Sequence, residues 1–181
     1  MIACGPGGGE RGFPAGKDPG AFISEDLGGG VERVRRYNAN RLLEEEGYLV
    51  NGVAAGTWVQ YNVDRVVRTE SYAGGLLNGY VLEFSPREQL SYKQMYEGGQ
   101  KHGRGAKFQR GRLLEEFRYE RGKLEGQMLE YHSNGLVKKE INFKNGLQHG
   151  PFRYYDINGT LTLEYEYAEG EKLEGGAVSP R

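Results

Sequence analysis

Five glycines divide most of this chain into units of nearly equal length. They are separated by 23, 24, 23 and 24 residues, and an aromatic residue follows each of them five positions later. A second aromatic stands three residues before a second glycine near the end of each unit. A regular period of this length indicates one supersecondary unit that is repeated and stacked on its neighbours. The unit-opening glycines are Gly56, Gly79, Gly103, Gly126 and Gly150.

Each unit has the pattern of a β-hairpin, with a short strand, a turn and a longer strand. Asn134-Gly135 and Asn158-Gly159 carry the strongest short signal for a hairpin turn. Glycine and β-branched residues interrupt every unit and disfavour a helix, since each glycine costs a helix about 1 kcal/mol. A degenerate unit with Glu32 at the opening position comes first. The predicted units are 32–55, 56–78, 79–102, 103–125, 126–149 and 150–174.

Alternation along the strands predicts which side chains share a face of the sheet. An aliphatic residue precedes each second aromatic by six positions, and this even offset predicts that the two share a face. These aliphatic residues are Val66, Leu90, Leu113, Val137 and Leu161. We therefore predict an all-β fold, an elongated single-layer antiparallel meander of repeated β-hairpins.

The two ends of the chain differ from the repeats. Residues 1–31 contain ten glycines and three prolines and have neither a strand nor a helix period. Such a composition is typical of a flexible linker. The predicted organisation is a flexible segment over 1–31, a repeat domain over 32–174 and a disordered tail over 175–181.

Cys4 is the only cysteine, which excludes an intrachain disulfide and a multi-cysteine metal site. The stretch from Met1 to Gly5 resembles the end of a bacterial lipoprotein signal, where small residues precede the lipidated cysteine. The charged and apolar parts of such a signal do not precede it here. Two alternatives stay open: a lipidated Cys4 that tethers the chain to the bacterial cell envelope, if an upstream signal was trimmed, or a free thiol in a cytoplasmic protein.

The charge of the chain is balanced overall but uneven along its length. A net charge of −1 gives no field that would recruit nucleic acid or an anionic membrane. Unit 103–125 has seven basic residues and four glutamates, whereas unit 150–174 has two basic and six acidic residues. This polarity suits a charged protein partner or head-to-tail self-association.

The repeat pattern resembles the MORN repeat, and most closely its bacterial antitoxin-like variant. The resemblance covers about residues 32–174 and is carried by "YAGGLLNG", "YEGGQKHG", "YERGKLEG" and "FKNGLQHG". The chain departs from the pattern in "FSPREQ", which has no glycine in its turn, and in "EGEKLEGG", which has an extra residue. The resemblance implies non-catalytic repeats that scaffold, dimerise, or bind proteins or membrane surfaces.

The sequence predicts no catalytic, cofactor-binding or metal site. His102 and His149 hold one repeat position two units apart, about 19 Å at the spacing of strands, too far to share a metal ion. The aromatics that follow the opening glycines are the predicted partner-binding surface, together with Trp58 as a hot spot on the other face. These residues are Trp58, Tyr61, Phe84, Phe108, Tyr131 and Tyr155.

We accordingly expect a protein-binding or scaffolding module without enzymatic activity and without a cofactor. Its partner is expected to be a protein or a second copy, and contact with a membrane is expected only through a lipid anchor. One alternative is a soluble antitoxin or immunity protein that occludes a partner. Another is a glycan-binding protein whose aromatic rings serve as platforms for sugars.

Overall fold

The structure is a computed structural model that describes residues 12–177, apart from the side chain of Glu174. All its strands belong to one 15-stranded sheet, in which successive strands pair antiparallel, except that β11 pairs with β9 rather than with β10. Its first and last strands, β1 and β15, are not paired with each other, so the sheet is open. The predicted all-β meander of hairpins is confirmed. Within the described residues, no helix is long and apolar enough to span a membrane.

The strands vary between two and ten residues, and a single 3₁₀ turn, Pro19–Ala21, precedes them. Strand β10 is a short extension that pairs with β9 alone. The strands are β1 (Ile23–Gly28), β2 (Val31–Tyr37), β3 (Leu43–Val50), β4 (Val53–Asn62), β5 (Arg65–Ala73), β6 (Leu76–Phe84), β7 (Leu90–Glu97), β8 (Gln100–Gln109), β9 (Arg112–Glu120), β10 (Lys123–Leu124), β11 (Gly126–Tyr131), β12 (Val137–Lys144), β13 (Leu147–Tyr155), β14 (Leu161–Ala168) and β15 (Glu171–Ala177).

A β-bulge recurs beside the first aromatic of each unit. In β4 and β5, Gln60 pairs with Arg68 but Tyr61 pairs with Val66, so Val67 is the extra residue. An extra residue reverses the alternation of side chains beyond it. The prediction that the aliphatic residues share a face with the second aromatics is therefore wrong. Each aliphatic residue is instead the cross-strand partner of a first aromatic and lies on the same face as that aromatic. Those pairs are Tyr61 with Val66, Phe84 with Leu90, Phe108 with Leu113, Tyr131 with Val137 and Tyr155 with Leu161.

Tight two-residue turns connect successive units, and two of the units also have one inside, at Val63-Asp64 and Arg110-Gly111. Asn145-Gly146, for example, has φ angles of 54° and 88°, as a type I′ turn requires. At Asn134-Gly135 only the glycine has a positive φ, and the N–H of His132 donates to the carbonyl of Leu136 across a longer turn. In five of the inter-unit turns the second residue is a glycine that donates its N–H to a carbonyl of the preceding unit. These donors are Gly75, Gly99, Gly122, Gly146 and Gly170.

The two faces of the sheet are named here by what they carry. The front face bears Trp58 and, on neighbouring strands, the second aromatics such as Tyr72; the back face bears the first aromatics such as Tyr61. The buried cluster lies on the front face near the N-terminal end of the sheet. It comprises Val34, Leu49, Ala54, Trp58 and Tyr72, with Phe13, Phe22 and Leu77 packed against it.

Residues 12–22 form a strap over this cluster. Phe13 and Phe22 pack on Trp58, Pro14 is fully buried, and the carbonyl of Gly12 accepts from the N–H of Ala54 at 2.6 Å. The prediction of a flexible segment over 1–31 is therefore wrong for its described part, because two phenylalanines anchor it and Gly29-Gly30 form the turn between β1 and β2. The predicted disordered tail is wrong for 175–177, which belong to β15.

Gly47 gives the indole of Trp58 the space that it occupies. A Cβ atom on Gly47 would overlap Cδ2 and Cε2 of the ring, and the φ angle of Gly47 is not in the left-handed region. We expect Gly47→Ala to lower the free energy of unfolding by about 2 kcal/mol, because the ring must move out of its site. Gly176→Ala is the matched control, since its Cβ would meet no atom within 4 Å. Equal stability of the two variants in urea unfolding would contradict this packing.

Candidate binding surface

The predicted aromatic row lies together on the back face. Tyr61, Phe84, Phe108, Tyr131 and Tyr155 are all half-buried. Three of them donate a hydroxyl hydrogen bond to a glutamate of the preceding unit: Tyr131 to Glu116 at 2.7 Å, Tyr61 to Glu46 at 2.8 Å and Tyr155 to Glu140 at 3.3 Å. The row therefore joins successive hairpins. Its use by a partner stays a prediction.

These hydrogen bonds predict a dependence of stability on alkaline pH. Burial and the bond to Glu46 raise the pKa of Tyr61 to about 12, and burial and Glu116 do the same for Tyr131. The neutral phenols therefore stabilise the fold fully below pH 10, and this contribution is lost as the pH rises through 12. We expect an ultraviolet titration of phenolate to show two fewer groups ionising near pH 12 in the Tyr61→Phe, Tyr131→Phe double variant. A wild-type titration complete near pH 10 would contradict the assignment.

Trp58 does not belong to an exposed surface. Its side chain is 0% exposed, and its ring lies 5.7 Å from Phe13, 5.8 Å from Phe22 and 5.9 Å from Tyr72 between centroids. Its Nε1–H donates to the carbonyl of Tyr48 at 3.3 Å. The prediction of a partner-binding hot spot at Trp58 is wrong, because the strap covers the ring.

A buried ion cluster fixes the strap beside Trp58. The ammonium of Lys17 pairs with Glu45 and lies 3.4 Å from Glu70, and both carboxylates are nearly inaccessible to solvent. Arg36 and Arg68 pair with the same two glutamates from the sheet. Burial alone raises the pKa of Glu70, but the hydrogen bond from Arg68 and the charge of Lys17 outweigh it and hold that pKa below its ordinary value.

One row of cross-strand partners runs along the middle of the front face, from Trp58 in β4 to Tyr165 in β14, and its burial and polarity differ between the two ends of the sheet. In the N-terminal units it holds Trp58, Glu70, Val81 and Gln94, all buried. Beyond the buried Phe117 the row is apolar and only half-buried. We call this region, with the neighbouring second aromatics, the C-terminal stripe. It consists of Met128, Ile141, Phe143, Phe152, Tyr165 and Tyr167.

No second layer of strands or helices covers the C-terminal stripe within residues 12–177. The strap contacts Trp58, Glu45, Glu70 and Ala54, far along the sheet from it. The aromatic rings pack on each other, with Phe152 6.0 Å from Tyr165 and 6.2 Å from Tyr167 between centroids. The sequence repeat could have identified this row. Its residues stand two positions after each opening glycine and two positions before each second aromatic.

Histidines and carboxylates form no cluster suited to a metal ion in the described part of the chain. His102 lies 3.5 Å from Glu97 across the turn between β7 and β8, and His149 in β13 lies 3.5 Å from Glu169 in the turn between β14 and β15. Both histidine pairs are partly exposed, with His102 in β8 and His149 in β13. Cys4, the predicted lipidation site, lies outside the described residues.

Comparison with known proteins gives little guidance. No family model matches the chain, and no curated protein matches it. Similar solved structures include TarM, at 10% identity and a TM-score of 0.34, and a mutant of Staphylococcus aureus TarM in complex with fondaparinux, alpha-GlcNAc-glycerol and UDP, at 10% and 0.31. Each alignment covers 86% of this chain but 21% of the other, so the chain spans about a fifth of their length. Both TM-scores are too low to support a functional assignment.

Proposed function

We propose that the chain is a non-catalytic, MORN-type repeat module that binds a protein partner along the C-terminal stripe. The observation that carries this proposal is the stripe itself, a row of large apolar side chains on one layer of sheet that no other strand or helix among residues 12–177 covers. Apolar patches of this kind mark interaction sites on soluble proteins. The units that precede the stripe supply a rigid scaffold, since each one packs on its neighbours and is tied to them by hydrogen bonds.

The strap indicates what kind of segment fits this face. It folds through a turn at Ala15-Gly16 and a 3₁₀ turn at Pro19–Ala21, and its two aromatic residues, Phe13 and Phe22, lie on the front-face ring of Trp58. The C-terminal stripe repeats the same positions of the same hairpin with Met128, Phe152 and Tyr165 in place of Trp58, Val81 and Gln94. The proposed occupant is therefore a short segment of another protein that presents large apolar or aromatic side chains.

A peptide-display selection against the full chain tests this proposal. We expect the enriched peptides to contain aromatic residues and to lose affinity by about tenfold or more for Phe152→Ser. Tyr155→Ser is the matched control, because it removes a half-buried ring of the same strand from the back face. If circular dichroism shows that Phe152→Ser loses β-structure, Tyr167→Ser, at the border of the stripe, replaces it as the test variant. Peptides that bind Phe152→Ser and wild type equally would refute the proposal.

A lipid tether at Cys4 is a separate proposal, supported by the sequence around that residue. Intact mass spectrometry of the native protein tests it directly. A diacylglyceryl group on Cys4 as the first residue is the expected result, and an unmodified Cys4 behind Met1 would contradict it.

A further inference from the structure

Two arginines face each other across the back face of unit 103–125. Arg104 in β8 and Arg118 in β9 are direct cross-strand partners, and both side chains are exposed. Like charges placed directly opposite destabilise a sheet. Several other arginines of the sheet pair with carboxylates, as Arg153 with Glu164 at 2.9 Å and Arg33 with Glu25 at 2.7 Å. Among the described residues, neither Arg104 nor Arg118 has a carboxylate within 4.0 Å.

A groove of about 350 Å³ lies beside this pair. Its lining includes Lys93, Arg104 and Arg118, one carboxylate, Glu116, and the apolar side chains of Ala106 and Leu129. The side chains that line the groove therefore carry a net charge of +2, from three cations and one carboxylate. Glu116 accepts the hydroxyl of Tyr131 at 2.7 Å. The groove therefore presents more cationic donors than its own carboxylate can match.

We propose that this groove binds an extended acidic segment of a protein, with carboxylates at alternate positions. A guanidinium fork matches a carboxylate in a bidentate pair, and two forks side by side suit one such group. Lys93 is cross-strand to Ala106, two residues from Arg104 on the same face, which places it diagonally about 7–8 Å away. Alternate residues of an extended peptide are about 6.7 Å apart, so one carboxylate meets the arginine pair while the next meets Lys93.

The surroundings of the charges favour a peptide over a charged sugar polymer. Ala106 and Leu129 form an apolar floor on which the carbon atoms of a side chain can lie. Tyr80, which is 46% exposed, stands beside Lys93, whose ammonium lies 6.0 Å from the ring centroid. The site does not depend on the C-terminal stripe, because it lies on the other face of the sheet.

Fluorescence anisotropy with the full chain at low salt tests the inference. The probe is a labelled peptide that alternates glutamate and threonine, and the controls replace its glutamates with glutamine or lysine. We expect saturable binding of the glutamate peptide alone, weakened about tenfold by Arg118→Gln. Lys123→Gln is the matched control, an exposed cation of the same unit outside the groove. Arg104→Gln should weaken binding while keeping or raising the thermal midpoint, because it relieves the like-charge pair.

Several results would overturn the inference. One is the absence of saturable binding to the glutamate peptide. Another is an equal loss with Lys123→Gln, which would mean that only the net charge matters. A third is polygalacturonate binding that depends on Arg118 when the peptide does not bind, which would assign the groove to anionic polysaccharides. Phe152→Ser should bind the acidic peptide normally, which separates this site from the proposed function of the stripe.

Discussion

Replacing Trp58 with alanine is expected to lower the free energy of unfolding by about 3–5 kcal/mol. The indole is fully buried, and its loss opens a cavity that neither the sheet nor the strap can fill. Phe13 and Phe22 both use this ring as their contact on the sheet, so the strap loses its main apolar anchor. The effect should be visible in urea unfolding followed by circular dichroism.

Ile23→Ala is the control for this variant, because Ile23 is a large apolar residue nearby that is 67% exposed. Its expected effect is within about 0.5 kcal/mol. If Trp58→Ala also stays below about 1 kcal/mol, the strap does not pack on the indole as described.

Lys17→Met is expected to cost about 3 kcal/mol at neutral pH, since it removes a cation from between two buried carboxylates. The methionine keeps most of the volume, so the loss reports charge rather than packing. Lys139→Met is the matched control, because Lys139 is partly exposed and Lys138 also pairs with the same Glu130. An exposed pair of this kind contributes at most about 1 kcal/mol.

The loss caused by Lys17→Met should depend on pH in a defined direction. The pKa of Glu70 in the folded chain is lowered, so its contribution to stability is present above the ordinary value of 4.5 and is lost as the pH falls through the folded pKa. The stabilities of wild type and Lys17→Met should therefore converge below pH 4.5. A difference that stays constant from neutral pH to pH 3 would show that the ion cluster is not its source.

The hairpins could be predicted because their determinants are local. Gly146 and Gly170 adopt positive φ angles that other residues rarely take, and aromatic residues recur at fixed distances from such turns. Which side chains share a face of the sheet was harder to predict. A single extra residue such as Val67 reverses the alternation of side chains, and the composition of the strand does not indicate where this bulge lies.

The strap could not be predicted from its own composition. Its glycines and prolines are those of a linker, and what holds it are contacts of Phe13, Phe22 and Lys17 with residues such as Trp58 and Glu45 that are far away in the chain. Those contacts also explain why the prediction of a partner-binding hot spot at Trp58 is wrong. The C-terminal stripe could have been predicted from the sequence, because Trp58, Met128 and Phe152 occupy the same position of their repeats.

Hydroxyl-radical footprinting of the full chain, read by mass spectrometry, tests most directly whether the front face is closed at one end and free to bind at the other. Phe152 and Tyr165 should be modified faster than the buried Trp58, and a peptide selected on the chain should protect them while leaving Tyr155 on the back face unchanged. Slow modification of Phe152 and Tyr165 in the free chain, or protection of Tyr155 in their place, would contradict a docking surface on the C-terminal stripe.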